Sequence, residues 1–597
     1  MIVFKKLGWF FKMEWKRYAI GITMLVFIAL LQLVPPQIIG RVIDALTTKT
    51  LTPEKLTLLL AVLLATGILT YGFRYLFRIF IFGASFNLGR TLRARLYKKY
   101  TSMSPPFFQR RRTGDLMAHA TNDINAVQQT AGPGVFTIVD AMVMGGMILI
   151  SMAVTVSPKL MLIAIIPLPL MVIITSYLGK LLNASFRKAQ EAFSQLNDKA
   201  QESIAGIKVT KSFGYENEDH EDFVKLSNDV VQRNIRVTKI DAFFDPTIML
   251  VVGASYFLSL YFGAHMVFND EITIGQLVTF TTYLSMMIWP LLALGFFFNI
   301  VQKGRASYER IEEILNTESD IDVAFQTEAV PQGTITYDID QFYYPGDEKP
   351  LLKDIRFQVE EGATIGIVGR TGSGKSTLIR LLLREFDTEK PGDITYGERP
   401  LRDYQLSKLR SKFGYVPQDH FLFSTTIREN IAFSNPDIDQ AHIEAASRLS
   451  AIHDDITQFT DGYETVIGER GVSLSGGQKQ RISIARALIT DPDVLILDDS
   501  LSAVDAETES RILNNLHDER KGKTNIITAH RMSAISHADL IIVMDEGRII
   551  ERGTHETLMA EAGWYYETYQ AQALQASLTH DLDDLVQGGE HNGTTRS

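Results

Sequence analysis

Long apolar runs dominate the chain from Tyr18 to about Ile300, and short apolar strands alternating with polar, helix-patterned segments dominate it from about Thr334 onward. Crossing the hydrocarbon core of a bilayer takes about 20 mostly apolar helical residues. Six segments meet that measure, at about 18–40, 56–80, 134–157, 159–181, 243–267 and 276–300. Buried core helices of a large soluble protein would share the apolarity, but six such runs with few internal charges read as membrane spans. The second half reads as α/β. The pattern thus predicts an α-helical six-span domain over 1–313, a linker over 314–333 carrying TESD and AVPQG, an α/β domain over 334–575, and a flexible tail over 576–597.

Charge orients the spans. Lys5, Lys6, Lys12, Lys16 and Arg17 face only Glu14 before span one, and Arg90, Arg93, Arg95, Lys98, Lys99 and Arg110 to Arg112 face Asp115 and Asp123 after span two. The connections after spans one, three and five are short and not basic. Basic loops stay on the cytoplasmic side, so both termini are expected there. The opening FKKLGWFFKMEWKR interleaves aromatics with lysines and predicts an amphipathic helix at the membrane surface. No small-residue cleavage site follows, which argues against a signal peptide.

Two insertions, 82–133 and 182–242, are polar, helix-patterned and too long to be turns, so helices continuing from the spans should project beyond the membrane. Near their midpoints lie SPPFFQRRRTGDL (104–116) and KSFGYENED (211–219), readable either as docking knobs for another domain or as solvated turns.

Composition narrows the function. A net charge of -10 without a basic, aromatic-studded stripe argues against general nucleic-acid binding. With no cysteine, disulfides and thiolate metal sites are excluded, and the 12 histidines show no ligand spacing. No repeat of solenoid period is visible.

GRTGSGKST, comprising Gly369, Arg370, Thr371, Gly372, Ser373, Gly374, Lys375, Ser376 and Thr377, matches GxxxxGK[ST] between an apolar strand, ATIGIV, and a helix, STLIRLLL. Glycines let backbone N–H groups close around phosphates at a helix N-terminus. Lys375 should reach the β and γ phosphates and Ser376 should ligate Mg²⁺. VLILDD ends an unbroken apolar strand in Asp498, a second expected magnesium ligand, and Asp499. LSGGQKQRISIARAL, from Leu474, places Ser475, Gly476, Gly477 and Gln478 at another helix start, a second anion site. One nucleotide cannot easily occupy both sites of one compact domain, so two domains facing head to tail, each covering the other's ATP, are expected.

LSGGQ about a hundred residues after this loop resembles the signature of ATP-binding cassette (ABC) proteins, and the resemblance spans nearly the whole chain, as in a multidrug-type exporter half-transporter. It implies an ATP hydrolase coupled to export, with ATP and Mg²⁺ as cofactors, a second half-transporter as partner, and a bacterial plasma membrane location. It also implies residue roles: Tyr344 in FYYPG stacks on adenine, Gln418 in VPQD senses magnesium, Ser502 to Asp505 link the two sites, His530 in ITAHR contacts the γ-phosphate, and Glu469 in GERG touches coupling helices.

In this family the residue after the magnesium aspartate is usually glutamate, which activates water. Asp499 keeps the charge but is one methylene shorter, about an ångström, and misplacement of that size costs on the order of 10²-fold in rate. Two readings stand: a conservative swap in a homodimer, or the slow site of a heterodimer. Bacterial heterodimeric multidrug exporters resemble the second: one subunit lacks a full base but keeps LSGGQ, and its partner has the glutamate with a degraded signature. A regulatory subunit without transport would predict an ATP-insensitive cassette.

Substrate signals are few. Asp140 in span three suits a cationic drug or an ion pair with Arg74 or Arg78 of span two. Met286, Met287 and Trp289 with Phe296 to Phe298 suit a promiscuous apolar cavity, or lipid contact and packing. Drug, lipid and peptide export are not separable on these residues.

Overall fold

The computed structural model describes residues 2–321, 327–468 and 472–575; the expected tail 576–597 and Glu469 lie outside them. The chain divides into two compact units, one built from 1–101 and 112–317, the other from 102–111 and the residues from 318 onward.

Among the described residues of the first unit six helical segments are long and apolar enough to cross a membrane: Trp15–Thr47, Pro53–Ser102, Thr113–Thr155, Pro158–Ala205, Glu216–Phe268 and Ile274–Asn316. Helices run through the expected insertions. Pro53–Ser102 is one helix of 50 residues, about 75 Å long at 1.5 Å per residue against a hydrocarbon core of about 30 Å. Its apolar half turns Leu58, Leu60, Leu64 and Ile68 outward, a surface suited to lipid rather than water. Chain breaks fall where backbone donors are missing. Pro35 and Pro36 follow the break at Leu33, Pro167 precedes Leu168–Ala205, and Pro133 sits in a π-type turn over Thr130–Gly134.

Span six begins at a capping box, with Thr273 Oγ1 accepting from the Gln276 backbone at 3.0 Å and Gln276 Oε1 accepting from the Thr273 backbone at 2.8 Å. Asp44 locks it to span one, accepting from Thr273 Oγ1 and from the Gly275 amide, both at 2.7 Å. Gly40 and Gly275 touch backbone to backbone there, and a Cβ on either would collide with the other.

The chain start is broken in two where a single amphipathic helix was expected. It forms two short helices, Ile2–Lys6 and Gly8–Met13, and Val3, Phe10 and the intervening Leu7 are fully buried against protein. Lys6 pairs with Glu312 at 2.5 Å and Arg95 lies over the Trp9 ring at 4.0 Å.

The two midpoint segments part company. Residues 102–111, including helix Pro105–Gln109, group with the second unit, where Ser104 Oγ donates to Asp320 at 3.3 Å and Arg110 approaches Asp320 at 3.5 Å. Helix Ile207–Phe213, ending at Gly214 in a left-handed turn (φ +66°), stays with the first unit and exposes Val209, Phe213 and Tyr215.

Among its described residues the second unit carries ten strands: β1 Ile335–Phe342, β2 Leu352–Val359, β3 Thr364–Gly369, β4 Ile394–Tyr396, β5 Arg399–Pro400, β6 Phe413–Val416, β7 Val494–Asp498, β8 Thr524–Thr528, β9 Leu540–Asp545 and β10 Arg548–Gly553. An antiparallel sheet runs β2-β1-β4-β5, and a second sheet runs β10-β9-β3-β8-β7-β6, parallel except for β10. The sequence pattern follows from this. Parallel β7 is buried along its whole length and is apolar up to its last residue, Asp498, whereas antiparallel β1 largely alternates buried and less buried positions.

Candidate nucleotide site

The site lies where β3, β8 and β7 end side by side. Past β3 the chain turns through Gly369 (φ +145°), Gly372 (φ +84°) and Gly374 (φ +105°) before helix Lys375–Leu382. Only glycine adopts these conformations readily, and a Cβ at Gly374 would press within 2.6 Å of Leu352. Within the loop Arg370 accepts from the Ser373 amide at 3.1 Å, Ser373 Oγ is buried without a partner, and Thr371 is exposed.

Lys375 is 8% exposed and folds back over the loop, donating to the carbonyls of Gly369 at 2.8 Å and Arg370 at 3.1 Å. Burial lowers its pKa, opposed by the negative charges of Asp499 and Asp498. Ser376 Oγ donates to Asp498 Oδ1 at 3.0 Å. Thr377 shares a 3.0 Å hydrogen bond with the hydroxyl of Tyr344, whose half-buried ring packs edge-on against Phe386 and Phe342.

Asp498, 3% exposed, ends β7 and accepts a second bond at 2.8 Å from Thr528 Oγ1, the last residue of the intervening strand β8. Sequence reading missed Thr528, although its place at the end of an apolar strand just before AHR was a usable signal. It also fixes the next residue, accepting on its carbonyl and on its Oγ1 from the Asp499 amide at 3.1 and 2.8 Å.

Asp499 sits in a left-handed conformation (φ +46°) that aspartate tolerates better than most residues. That turn aims its carboxylate at two partners: Gln418 Nε2 donates to Oδ2 at 3.3 Å and His530 Nε2 lies 3.8 Å from the same oxygen. Burial raises its pKa, the charge of Asp498 adds to the rise, and His530 and Lys375 oppose it.

Ser475 caps helix Gly476–Leu488 through a capping box, its Oγ accepting from the Gln478 amide at 3.2 Å while Gln478 Oε1 accepts from the Ser475 amide at 3.1 Å. Ser475 and Gly476 are exposed, and the Gln478 side chain donates to Asp455 at 3.1 Å. The Ala503 amide donates to Gln480 at 3.1 Å and Ser502 Oγ to the Asp499 carbonyl at 3.1 Å, so one short loop joins the signature helix to Asp499.

Family models describe the same two parts. The ABC transporter transmembrane region matches residues 18–291 and the ABC transporter domain matches 352–502. The chain is 45% identical over 592 residues to the multidrug resistance-like ATP-binding protein MdlA of Escherichia coli, spanning 99% of each. This chain belongs to the ABC transporter family.

The transporter is also 44% identical to the probable multidrug resistance ABC transporter ATP-binding/permease protein YheI of Bacillus subtilis over 573 residues, 96% of this chain and 98% of that one. Its fold matches a bacterial Atm1-family ABC exporter solved with ATP bound, at a TM-score of 0.75 and 25% identity, over 94% of this chain and 98% of that one. It is thus a multi-pass membrane exporter whose α/β domain binds ATP and couples its hydrolysis to transport.

Among the spans the transporter brings Asp140, Arg74, Arg78, Met286 and Trp289 around one cavity of about 310 Å³. Met287 is a correction to the expected set. It is 7% exposed and packed with Met144, Ile148 and Tyr283 in the core, because it follows Met286 by one residue and a helix turns about 100° per residue.

Proposed function

We propose that the transporter exports apolar or amphipathic small molecules, drugs among them, as one half of a heterodimer with one competent and one slow ATP site. The observation that carries the reading is Asp499, the shortened acid, on a chain whose signature Ser475–Gln478 is whole and opens on the exposed Ser475 and Gly476. Names of relatives that include multidrug resistance support the substrate class, and the basic cytoplasmic charge pattern supports an orientation with both termini inside.

Each site residue takes a role its position suits. Tyr344 stacks on adenine, and the loop Gly369 to Thr377 wraps the phosphates with its amides. The unpartnered buried Ser373 Oγ fits such an acceptor, and Lys375 is already aimed across the loop. Ser376 and Asp498, bonded to each other, together with Gln418 form an oxygen-rich set that fits Mg²⁺, which supplies charge neutralisation at the phosphates when bound. Asp499 orients water as a slow base and His530 faces the γ-phosphate. Ser475, Gly476, Gly477 and Gln478 complete the nucleotide site of the opposing cassette. ATP binds the closed pair of cassettes more tightly than the open one and so shifts the spans toward the outward-open form; hydrolysis resets them.

A homodimer in which Asp499 serves as the base, exporting lipid or peptide, is the second reading. It is favoured by the convergence of Gln418 and His530 on the Asp499 carboxylate. The two readings part on Asp499→Asn. In the heterodimer the partner's glutamate carries turnover, and ATP hydrolysis by the complex should change by no more than about threefold, since general-base help at an already slow site adds little. In the homodimer the same change removes the base from both sites and should cost about 10²–10⁴-fold. Phosphate release from the purified complex measures the difference.

A further inference from the structure

The cavity among the spans is not a neutral one. Arg74 and Arg78, one helical turn apart on Pro53–Ser102, line it opposite Asp140, and Trp289 and Met286 supply its apolar wall. One carboxylate can neutralise only one guanidinium. Among the described residues neither Arg74 nor Arg78 forms a salt bridge or a side-chain hydrogen bond, so the cavity holds two guanidinium groups against a single carboxylate. Both arginines are exposed to the cavity rather than packed. A guanidinium left over at membrane depth is costly unless water or a ligand anion meets it, and a cationic substrate would be repelled by the excess positive charge.

We infer that this cavity takes an amphipathic anion, an apolar body of one or two rings bearing a carboxylate, sulfonate or phosphate. The guanidinium fork of Arg78 matches such oxyanions in shape as well as charge. Trp289 offers a ring face and Met286 an adaptable wall. The volume of about 310 Å³ lies at the small end of ligand pockets, enough for a head group and a compact ring system. Asp140 then offsets part of the charge of the two arginines and is not a receptor for a cation. The inference rests on the export reading and sharpens it.

The test uses the transporter as purified from its own membranes, placed in phosphatidylcholine vesicles, and two probes that differ only in charge, 1-pyrenesulfonate and 1-pyrenemethylammonium. ATP-driven uptake should favour the sulfonate. Arg78→Gln should lower sulfonate uptake below saturation by about tenfold, the size expected for one charged hydrogen bond. Asp140→Asn should raise it, a gain that misfolding cannot mimic. Adding phosphatidylglycerol separates two sources of the same chemistry. Competition with the sulfonate that vanishes in Arg78→Gln assigns a lipid head group as an occupant, and the lack of competition assigns a free anion. Preference for the ammonium, or sulfonate uptake indifferent to both substitutions, overturns the anion inference and leaves export standing. Absence of ATP-driven uptake of both probes overturns the export of amphipathic small molecules itself.

Discussion

Gly477→Asp should abolish ATP hydrolysis by the assembled transporter while leaving the cassette folded. Gly477 lies in the first turn of helix Gly476–Leu488, where an aspartate helps its own helix by facing the positive end of the dipole. A Cβ there meets the carbonyl of the exposed Ala503 at 3.1 Å, which must give slightly, and the buried Val504 at an ordinary contact of 3.6 Å. The cost falls on function. The exposed helix start is the surface offered to the opposing cassette's nucleotide, and a carboxylate there repels the phosphates its amides are placed to hold. Losing such donors costs about 10²–10³-fold in turnover. Thermal unfolding of the variant checks the first half of the expectation and phosphate release the second; a folded variant that still hydrolyses ATP at the parent rate would remove the signature from the mechanism.

Lys375→Ala should weaken ATP binding to this chain's own site by about 10²-fold, the sum expected when a charge-assisted contact to phosphate is lost. The ammonium is held by two loop carbonyls and is nearly out of solvent, so its side chain is already ordered before nucleotide arrives. Little entropy remains to be lost on binding, and most of the contact energy is therefore available to affinity. Equilibrium titration of the complex with a fluorescent ATP analogue reads the change. Unaltered affinity would mean that Lys375 serves only to brace Gly369 and Arg370.

Sequence legibility followed how local the cause was. The phosphate loop, the buried strand of VLILDD and the capped signature helix depend on residues within a few positions of one another, and each was readable from spacing alone. The spans were readable because the bilayer imposes a length and a polarity on each helix separately. What the sequence could not display was convergence. Thr528 belongs to the site because β8 lies between β3 and β7, a matter of strand order. The left-handed backbone that turns Asp499 toward Gln418 and His530 leaves no mark on residue type beyond a mild preference for aspartate. Residues 102–111 group with the second unit through Asp320, more than 200 positions away. Met286 and Met287 are alike in chemistry, and only the phase of the helix sends one to the cavity and the other to the core. The opening segment shows a related limit: an amphipathic stripe states that it needs an apolar partner, and lipid and protein satisfy it equally well.

The central claim is asymmetry, and the native mass of the complex extracted gently from its own membranes tests it most directly. Two different chains are predicted, one of 67.0 kDa and one whose sequence carries glutamate after its magnesium aspartate and a damaged LSGGQ. A mass of twice 67.0 kDa, from this chain alone, would contradict the account and return Asp499 to the role of working base at both sites.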